Sequence, residues 1–474
     1  SNTLAKLHGK RDIRITDVPL DPPGPGQVTV QVLATGTCGS DLHYYVHGAN
    51  GAFKLQHPMC LGHESAGIVV DVGPSAPAAA SGSAFSSTSP AAAEAAPVLS
   101  WKVGDRVAIE AGLPCRGQQG QACARCEEGR YNLCPRMRFA SSCKTTPHLD
   151  GTLRRYMNWP AWSLHRIPDN VSLLSASLIE PLSVVLQGFR RARFSPAGAT
   201  PASGGVSHYG APDTSILIVG AGAVGLLACA AAKAIGTRFV AAIDIDQGRL
   251  DVAKSMGWAD ATFLLPLTPA SASASAPPAS ASTSEAAHGK ANGHADAAAN
   301  ERARRKAEDD ASVAKAQAQA DDLLRHFSSS GASDTALPAV SAGFDLVLEC
   351  TGVPSCVQLS ILSARPGGRV ALIGMGHPIQ SAFPIGSAAL REVDILGVFR
   401  YASVYPQAIE LLASGAITQR GAGSPDARKP SVGGIENLVS HRYRLEDAQL
   451  AFETMRMGKS EDGKGVVKVF IVDE

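Results

Sequence analysis

The chain has 474 residues, 45% of them apolar, with 43 Lys and Arg set against 42 Asp and Glu. This length and composition can fill two or three domain cores, and the near-zero charge leaves no basic field to hold nucleic acid or an anionic membrane surface. No run of about 18 apolar residues marks a membrane span, and the opening SNTLAKLHGKRDIRI lacks the succession of a signal peptide. The expected partner is therefore a small molecule, and the expected location is cytoplasmic.

Short strands broken by glycine and proline come first: QVTVQVLATG (27–36), SAGIVVDVG (65–73) and GDRVAIEAG (104–112). They predict a β-rich, barrel-like domain. Between the second and third lies an Ala, Ser and Pro-rich stretch, 74–97, with too little bulky apolar surface to repay ordering. From Ile216 the rhythm changes to a strand, a glycine turn, a helix over 223–236, a strand over 239–245 and a helix over 247–257. A second low-complexity stretch, about 266–310, is predicted to be disordered. The mixed-charge tail at 301–327 is predicted to end as the helix preceding the strand FDLVLEC (344–350). A helix over 353–364 and the strand GRVALIG (368–374) continue an alternation that builds a doubly wound parallel sheet. Smaller additions are expected at 116–122 and 200–213. The predicted fold class is α/β: a β-rich domain joined to a doubly wound parallel sheet, with low-complexity insertions.

GAGAVG (220–225) follows an apolar β-branched strand and opens a helix, and Asp244 ends the next strand. In this dinucleotide fingerprint Gly220 makes the turn, Gly222 lets backbone approach a pyrophosphate, and Gly225 lets helix and strand pack closely. Asp244 can accept from ribose hydroxyls and would repel a 2′-phosphate, which favours NAD over NADP. Val224 and Arg249 join these as cofactor-binding candidates.

Ten cysteines are too dilute for a disulfide scaffold and are better read as containing metal ligands. Cys115, Cys123, Cys126 and Cys134 match a closed tetrahedral zinc site, structural because no position is left for substrate. GTCGSDLHYY (36–45) supplies Cys38, LGHES (61–65) supplies His63 and Glu64, and LIEPLS (178–183) supplies Glu180. Cysteine, histidine and carboxylate together can hold a zinc with an open position for water or an alcohol. Taken singly, each of these is equally readable as an ordinary buried or hydrogen-bonded side chain.

These motifs, in this order, resemble the zinc-dependent medium-chain dehydrogenase/reductase family. Within it, REVDILGVFRYASVYPQAIELLASG (391–415) and LVSHRYRLEDAQLAFE (438–453) resemble the polyol dehydrogenases: sorbitol (L-iditol 2-) dehydrogenase, xylitol dehydrogenase and L-arabinitol 4-dehydrogenase. The resemblance implies a GroES-like catalytic domain at about 1–180, completed by 401–474, with a Rossmann NAD-binding domain at 181–400 between them. It implies Cys38, His63 and Glu64 as catalytic zinc ligands and Glu180 as a carboxylate reaching the metal through water or ligand exchange. It implies Tyr44, Arg400 and Tyr401 as substrate contacts, Ser40 and His43 as a proton relay, and a homo-oligomer, dimer or tetramer. Seven residues (116–122) separate Cys115 from Cys123 where relatives have two, so Cys115 either binds through a bulged loop or is lost as a ligand.

The implied activity is oxidation of a secondary hydroxyl of a pentitol or hexitol to the ketose, with zinc stabilising the alkoxide and NAD taking the hydride. Arg400 beside Tyr401 suits a substrate covered in hydroxyls. The alternatives are a threonine or simple secondary-alcohol dehydrogenase of the same fold, a non-catalytic NAD-binding redox sensor, and an interaction platform built on the cysteine loop and insertions.

Overall fold

The computed structural model describes residues 1–74, 101–115, 122–195, 209–210, 214–266, 291–330, 340–376, 379–417 and 434–473. Of the expected insertions, 75–97, 116–121, 267–290 and most of 200–213 lie outside the described residues.

A seven-stranded sheet runs in the order Leu164–Arg166, Arg106–Ile109, Glu64–Val72, Gln27–Gly36, Lys468–Val472, Val439–Tyr443, with Tyr156–Pro160 also pairing with Gln27–Gly36. All these pairs are antiparallel except Val439–Tyr443 with Lys468–Val472. Val28, Val30, Val32 and Ala34 recur at the period of a strand and enter one core. That pattern pins the register, because a slip of one residue would turn the whole set outward.

The second sheet is wholly parallel, in the order Ala261–Leu264, Phe239–Asp244, Ser215–Val219, Phe344–Glu349, Ala364–Leu372, Asp394–Gly397. Ile216 and Ile218 pack with Leu226, Ala230 and their neighbours on the helix Ala223–Ile235. Leu217 and Val219 turn to a separate core with Phe327 and Val357. A sheet covered on both faces, with its order reversing between Ser215–Val219 and Phe344–Glu349, is the doubly wound arrangement, and ligands bind beyond the carboxyl ends of the strands at that reversal.

Disorder over 291–310 is not what the structure shows. These residues form the first half of a 40-residue helix, Ala291–Ser330. Its second half is anchored by Ala316, Ala320, Leu323 and Phe327, buried on one helical face. The first half carries alanine, the strongest helix former, and in its exposed part, 299–310, side-chain pairs one turn apart: Arg305 Nε to Glu301 Oε1 at 2.8 Å and Lys306 Nζ to Asp310 Oδ2 at 2.6 Å. A composition too poor in bulky apolar groups for a core is still compatible with a helix supported in this way.

Two features of this architecture prepare a site. Strand pairing places Gly36 opposite both Glu64 and Phe470, so three chain segments meet there. The helix Ile179–Arg191 packs on both the Glu64–Val72 strand and the Ala223–Ile235 helix, carrying Glu180 to where the two sheets approach.

Candidate active site

Cys38 caps the helix Gly39–His47 just past the Gln27–Gly36 strand, and Glu64 opens its own strand with His63 before it. One ligand atom from each of Cys38, His63 and Glu64 lies within 4.8 Å of the other two. A Cβ on residue 36 would come 2.4 Å from Glu64 Oε2, so only glycine lets the carboxylate reach this point. His63 Nδ1 is 2.8 Å from Ser141 Oγ and 3.3 Å from Asp41 Oδ2, which fixes the ring and leaves Nε2 for a metal.

Glu64 Oε2 is 2.5 Å from Lys468 Nζ, which also donates to the Thr37 carbonyl at 2.7 Å. Burial alone would pull the Lys468 pKa down, but Glu64 and then Cys38 outweigh it and hold the ammonium above its ordinary value. Glu180 stands outside the three-ligand group and shares its charges. Burial pushes its pKa up to about 7, against His63, with Glu64 adding to the rise and Tyr401 and Arg400 opposing it. A thiolate, an imidazole and a carboxylate converging in a buried pocket fit Zn²⁺ with a position left open.

The second cluster is closed. Cys115 Sγ lies 3.6 Å from Cys126 Sγ, and Cys123 Sγ lies 3.8 Å from Cys134 Sγ. Four sulfurs at the usual zinc–sulfur distance stand roughly 3.8 Å apart, so the cluster fits a tetrahedral metal. Cys115 keeps its place among the four despite the longer spacing. The Cys126 N–H and the neighbouring sulfurs bring the Cys123 thiol down to about 7, against a smaller opposing effect of burial.

Around the open cluster, the Arg400 guanidinium stacks over the Phe139 ring at 3.5 Å, and Phe139 meets His63 edge-on at 5.4 Å. Tyr401 is buried, and its hydroxyl has no hydrogen-bond partner among the described residues. The Tyr44 hydroxyl accepts from the Cys143 N–H at 3.1 Å. Ser40 Oγ lies 3.3 Å from Cys38 Sγ. Burial, then His47, lowers the His43 pKa below its ordinary value.

At the carboxyl edge of the parallel sheet, Gly220 adopts φ +94° and a Cβ on residue 225 would stand 1.8 Å from the Gly220 carbonyl oxygen. A Cβ on Gly222 would meet nothing within 4 Å, which leaves room beside the helix start. Val224 is half-buried on the first turn. Asp244 accepts from the Ala221 N–H at 2.6 Å and the Asp246 N–H at 2.9 Å, so its carboxylate is locked against the glycine turn. Arg249 Nε is buried and has no hydrogen-bond partner among the described residues.

Residues 24–169 match the alcohol dehydrogenase GroES-like domain, and residues 279–414 match the zinc-binding dehydrogenase family. Sorbitol dehydrogenase of Gallus gallus is 32% identical over 97% of this chain and 94% of its own. Probable D-xylulose reductase A of Emericella nidulans is 32% identical over 96% and 93%. The chain belongs to the zinc-dependent medium-chain dehydrogenase/reductase family, in its polyol branch.

This medium-chain dehydrogenase is an oxidoreductase acting on alcohols, with zinc and a nicotinamide dinucleotide as its cofactors. Among solved structures it is similar to an Escherichia coli oxidoreductase/dehydrogenase of unknown specificity, with a TM-score of 0.65, 25% identity and 99% of each chain covered. L-idonate 5-dehydrogenase of Escherichia coli shares the fold, with a TM-score of 0.66, 23% identity and coverage of 100% of this chain and 98% of that one. No helix among the described residues of the dehydrogenase is long and apolar enough to cross a membrane.

Sequence reasoning missed several parts of this dehydrogenase's site. Asp41, Ser141 and Phe139 carry no motif of their own. Lys468 had a signal, since a lysine inside the apolar run KVFIV is buried only when paired. Ile245 and Leu264, at the carboxyl ends of two neighbouring strands, and Val353, in the turn after Phe344–Glu349 on the other side of Ser215–Val219, are apolar and about half exposed.

Proposed function

We propose that this polyol dehydrogenase uses NAD to oxidise one secondary hydroxyl of a pentitol or hexitol, with sorbitol, L-arabinitol and xylitol as the candidates, to the ketose. The observation that carries the reading is the convergence of the buried Tyr401 hydroxyl, Arg400 and Glu180 beside the three-ligand cluster. A guanidinium fork, a phenol and a carboxylate grouped in one buried place offer a hydroxyl-rich substrate both donors and acceptors.

Cys38, His63 and Glu64 would hold the catalytic zinc, Glu180 would stand beside it, and Cys115, Cys123, Cys126 and Cys134 would hold a structural ion. When bound, the catalytic zinc supplies Lewis acidity that stabilises an alkoxide, and the nicotinamide accepts the hydride. Arg400, Tyr401 and Tyr44 would orient the remaining hydroxyls. Ser40 and His43 lie on the first turns of one helix and form the proton route, His43 being neutral near pH 7 and free to accept. Gly220, Gly222, Val224, Gly225 and Arg249 would cradle the dinucleotide, and Ile245, Leu264 and Val353 would offer its adenine apolar walls. Asp244, an anion held in place by two backbone donors, would disfavour a 2′-phosphate.

The division into 1–180 with 401–474, and 181–400, is supported by the separate membership of the two large sheets. A homo-oligomer is supported by the edge strand Asp394–Gly397, unpaired on one side among the described residues, and by the exposed Ile385 and Leu390 just before it, the latter 91% exposed.

The test is reduction of NAD or NADP followed at 340 nm with sorbitol, xylitol, L-arabinitol, threonine and ethanol, before and after a zinc chelator. Chelator-sensitive NADH formation from one polyol is expected. Preference for threonine or ethanol, or silence from a folded and zinc-loaded protein, would sink the polyol reading.

A further inference from the structure

The reading of Arg400 and Tyr401 as substrate contacts leaves open what holds them. They sit on a segment with little regular structure, and Arg400 and Ser403 both adopt left-handed backbone conformations, φ +46° and +56°, that side-chain-bearing residues rarely keep unless their surroundings impose them. Nothing within the segment explains why it keeps this shape.

The restraint comes from the four-cysteine loop. Its turn Tyr131–Leu133 lies between Cys126 and Cys134. Asn132 Nδ2 donates to the Phe399 carbonyl at 2.7 Å, fixing the peptide that enters Arg400. The Ser403 N–H donates to the Tyr131 hydroxyl at 2.7 Å, fixing the exit. Between these two clamps Ala402, fully buried, packs in one cluster with Cys115, Cys126, Cys134 and Met137. The Tyr131 hydroxyl donates in turn to Glu110 Oε1 at 2.6 Å, and the other Glu110 oxygen is 2.7 Å from His165 Nε2. The loop is therefore braced against Glu110, just past the strand Arg106–Ile109, as well as against the segment it holds.

We infer that the four-cysteine loop positions the substrate-reading segment 399–403, with Tyr131 and Asn132 as positioning residues that set the Arg400 and Tyr401 side chains from outside the pocket. The loop then does more than staple the fold: it decides how well a hydroxyl-rich substrate is gripped. The inference rests on Arg400 and Tyr401 being substrate contacts, so the experiment separates the two ideas.

Full-length, zinc-loaded Tyr131→Phe, Asn132→Ala and Arg400→Ala are compared with the parent using sorbitol as the polyol probe, or xylitol if that is turned over faster. In Tyr131→Phe and Asn132→Ala the polyol KM should rise about tenfold while kcat stays within about threefold, with the NAD KM and zinc content unchanged. A loop that only stabilises the fold would lower the melting temperature and leave the polyol KM where it was. That result in a folded variant overturns the inference. If Tyr131→Phe does not fold, Asn132→Ala decides alone. Arg400→Ala should raise the polyol KM whatever the loop does; if it does not, the substrate reading itself has failed.

Discussion

A buried lysine against a buried carboxylate at a metal site raises the question of which charge each group is there to balance. Before any metal arrives, Lys468 is the one counter-charge within ion-pair distance of Glu64 among the described residues, at 2.5 Å. Removing one member of a buried pair strands the other and costs about 3–5 kcal/mol. A dication beside Glu64 would take over much of that neutralisation. Lys468→Met should therefore lower the melting temperature much more in chelator-treated protein than in zinc-loaded protein, as scanning calorimetry of the two forms would read. Equal losses in both would mean that the pair serves packing alone. Cys38, His63 and Glu64 were legible as candidate metal ligands only together and through the family resemblance, since singly each reads as an ordinary buried side chain. Lys468 was legible only as a lysine in need of a partner; Thr37 and Glu64 lie some four hundred positions upstream, and only the sheet register identifies them.

At the scale of elements, the contact between the N-terminal hairpin, the first helix and the Ala448–Met457 helix converges on Glu453. It accepts from Arg11 Nε at 2.7 Å, from the Tyr45 hydroxyl at 2.6 Å and from Arg456 Nε at 2.8 Å. Burial would raise its pKa, but Arg11, Tyr45 and Arg456 outweigh it and bring the carboxyl down to about 2. A carboxyl depressed on folding adds stability that is present above its unfolded pKa, about 4.3, and is lost as pH falls towards the folded value. After solvent screening the contribution should be about 1 kcal/mol. The stability gap between the parent and Glu453→Gln should thus be full at pH 6 and close between pH 4 and pH 2 in urea titrations. A gap independent of pH would count against the charge. The elements themselves were largely readable. The strand 27–36 falls where its alternation puts it, and the helix predicted over 223–236 ends at Ile235 with Gly236 as a left-handed cap. The helix over 291–310 was missed because low hydrophobicity speaks against a core and says nothing about alanine and paired charges one turn apart.

For the molecule as a whole, that long helix has two unequal halves. Phe327 packs among Phe239, Phe263 and Phe344 under the parallel sheet, and truncating such a residue costs about 3–5 kcal/mol. Phe327→Ala should accordingly destabilise the protein by that amount in denaturant unfolding. Ala303→Ser and Ala307→Ser, on the exposed half, should stay within about 0.5 kcal/mol. Comparable losses at all three positions would mean that the exposed half is covered by something in solution.

The register that brings Lys468 to Glu64 also sets an order of assembly during synthesis. The four-cysteine cluster is complete in the chain by residue 134, whereas the sheet beside Cys38, His63 and Glu64 is closed only by the strand Lys468–Val472, made some 430 residues after Thr37. A nascent chain stalled on the ribosome near residue 300 can close the first cluster, while the proposed ligands of the second still lack the strand that pairs beside them. Zinc counted on stalled and released chains would read that order directly: the four-cysteine cluster should fill during translation, and the Cys38, His63 and Glu64 group only once the strand Lys468–Val472 has closed the sheet beside it.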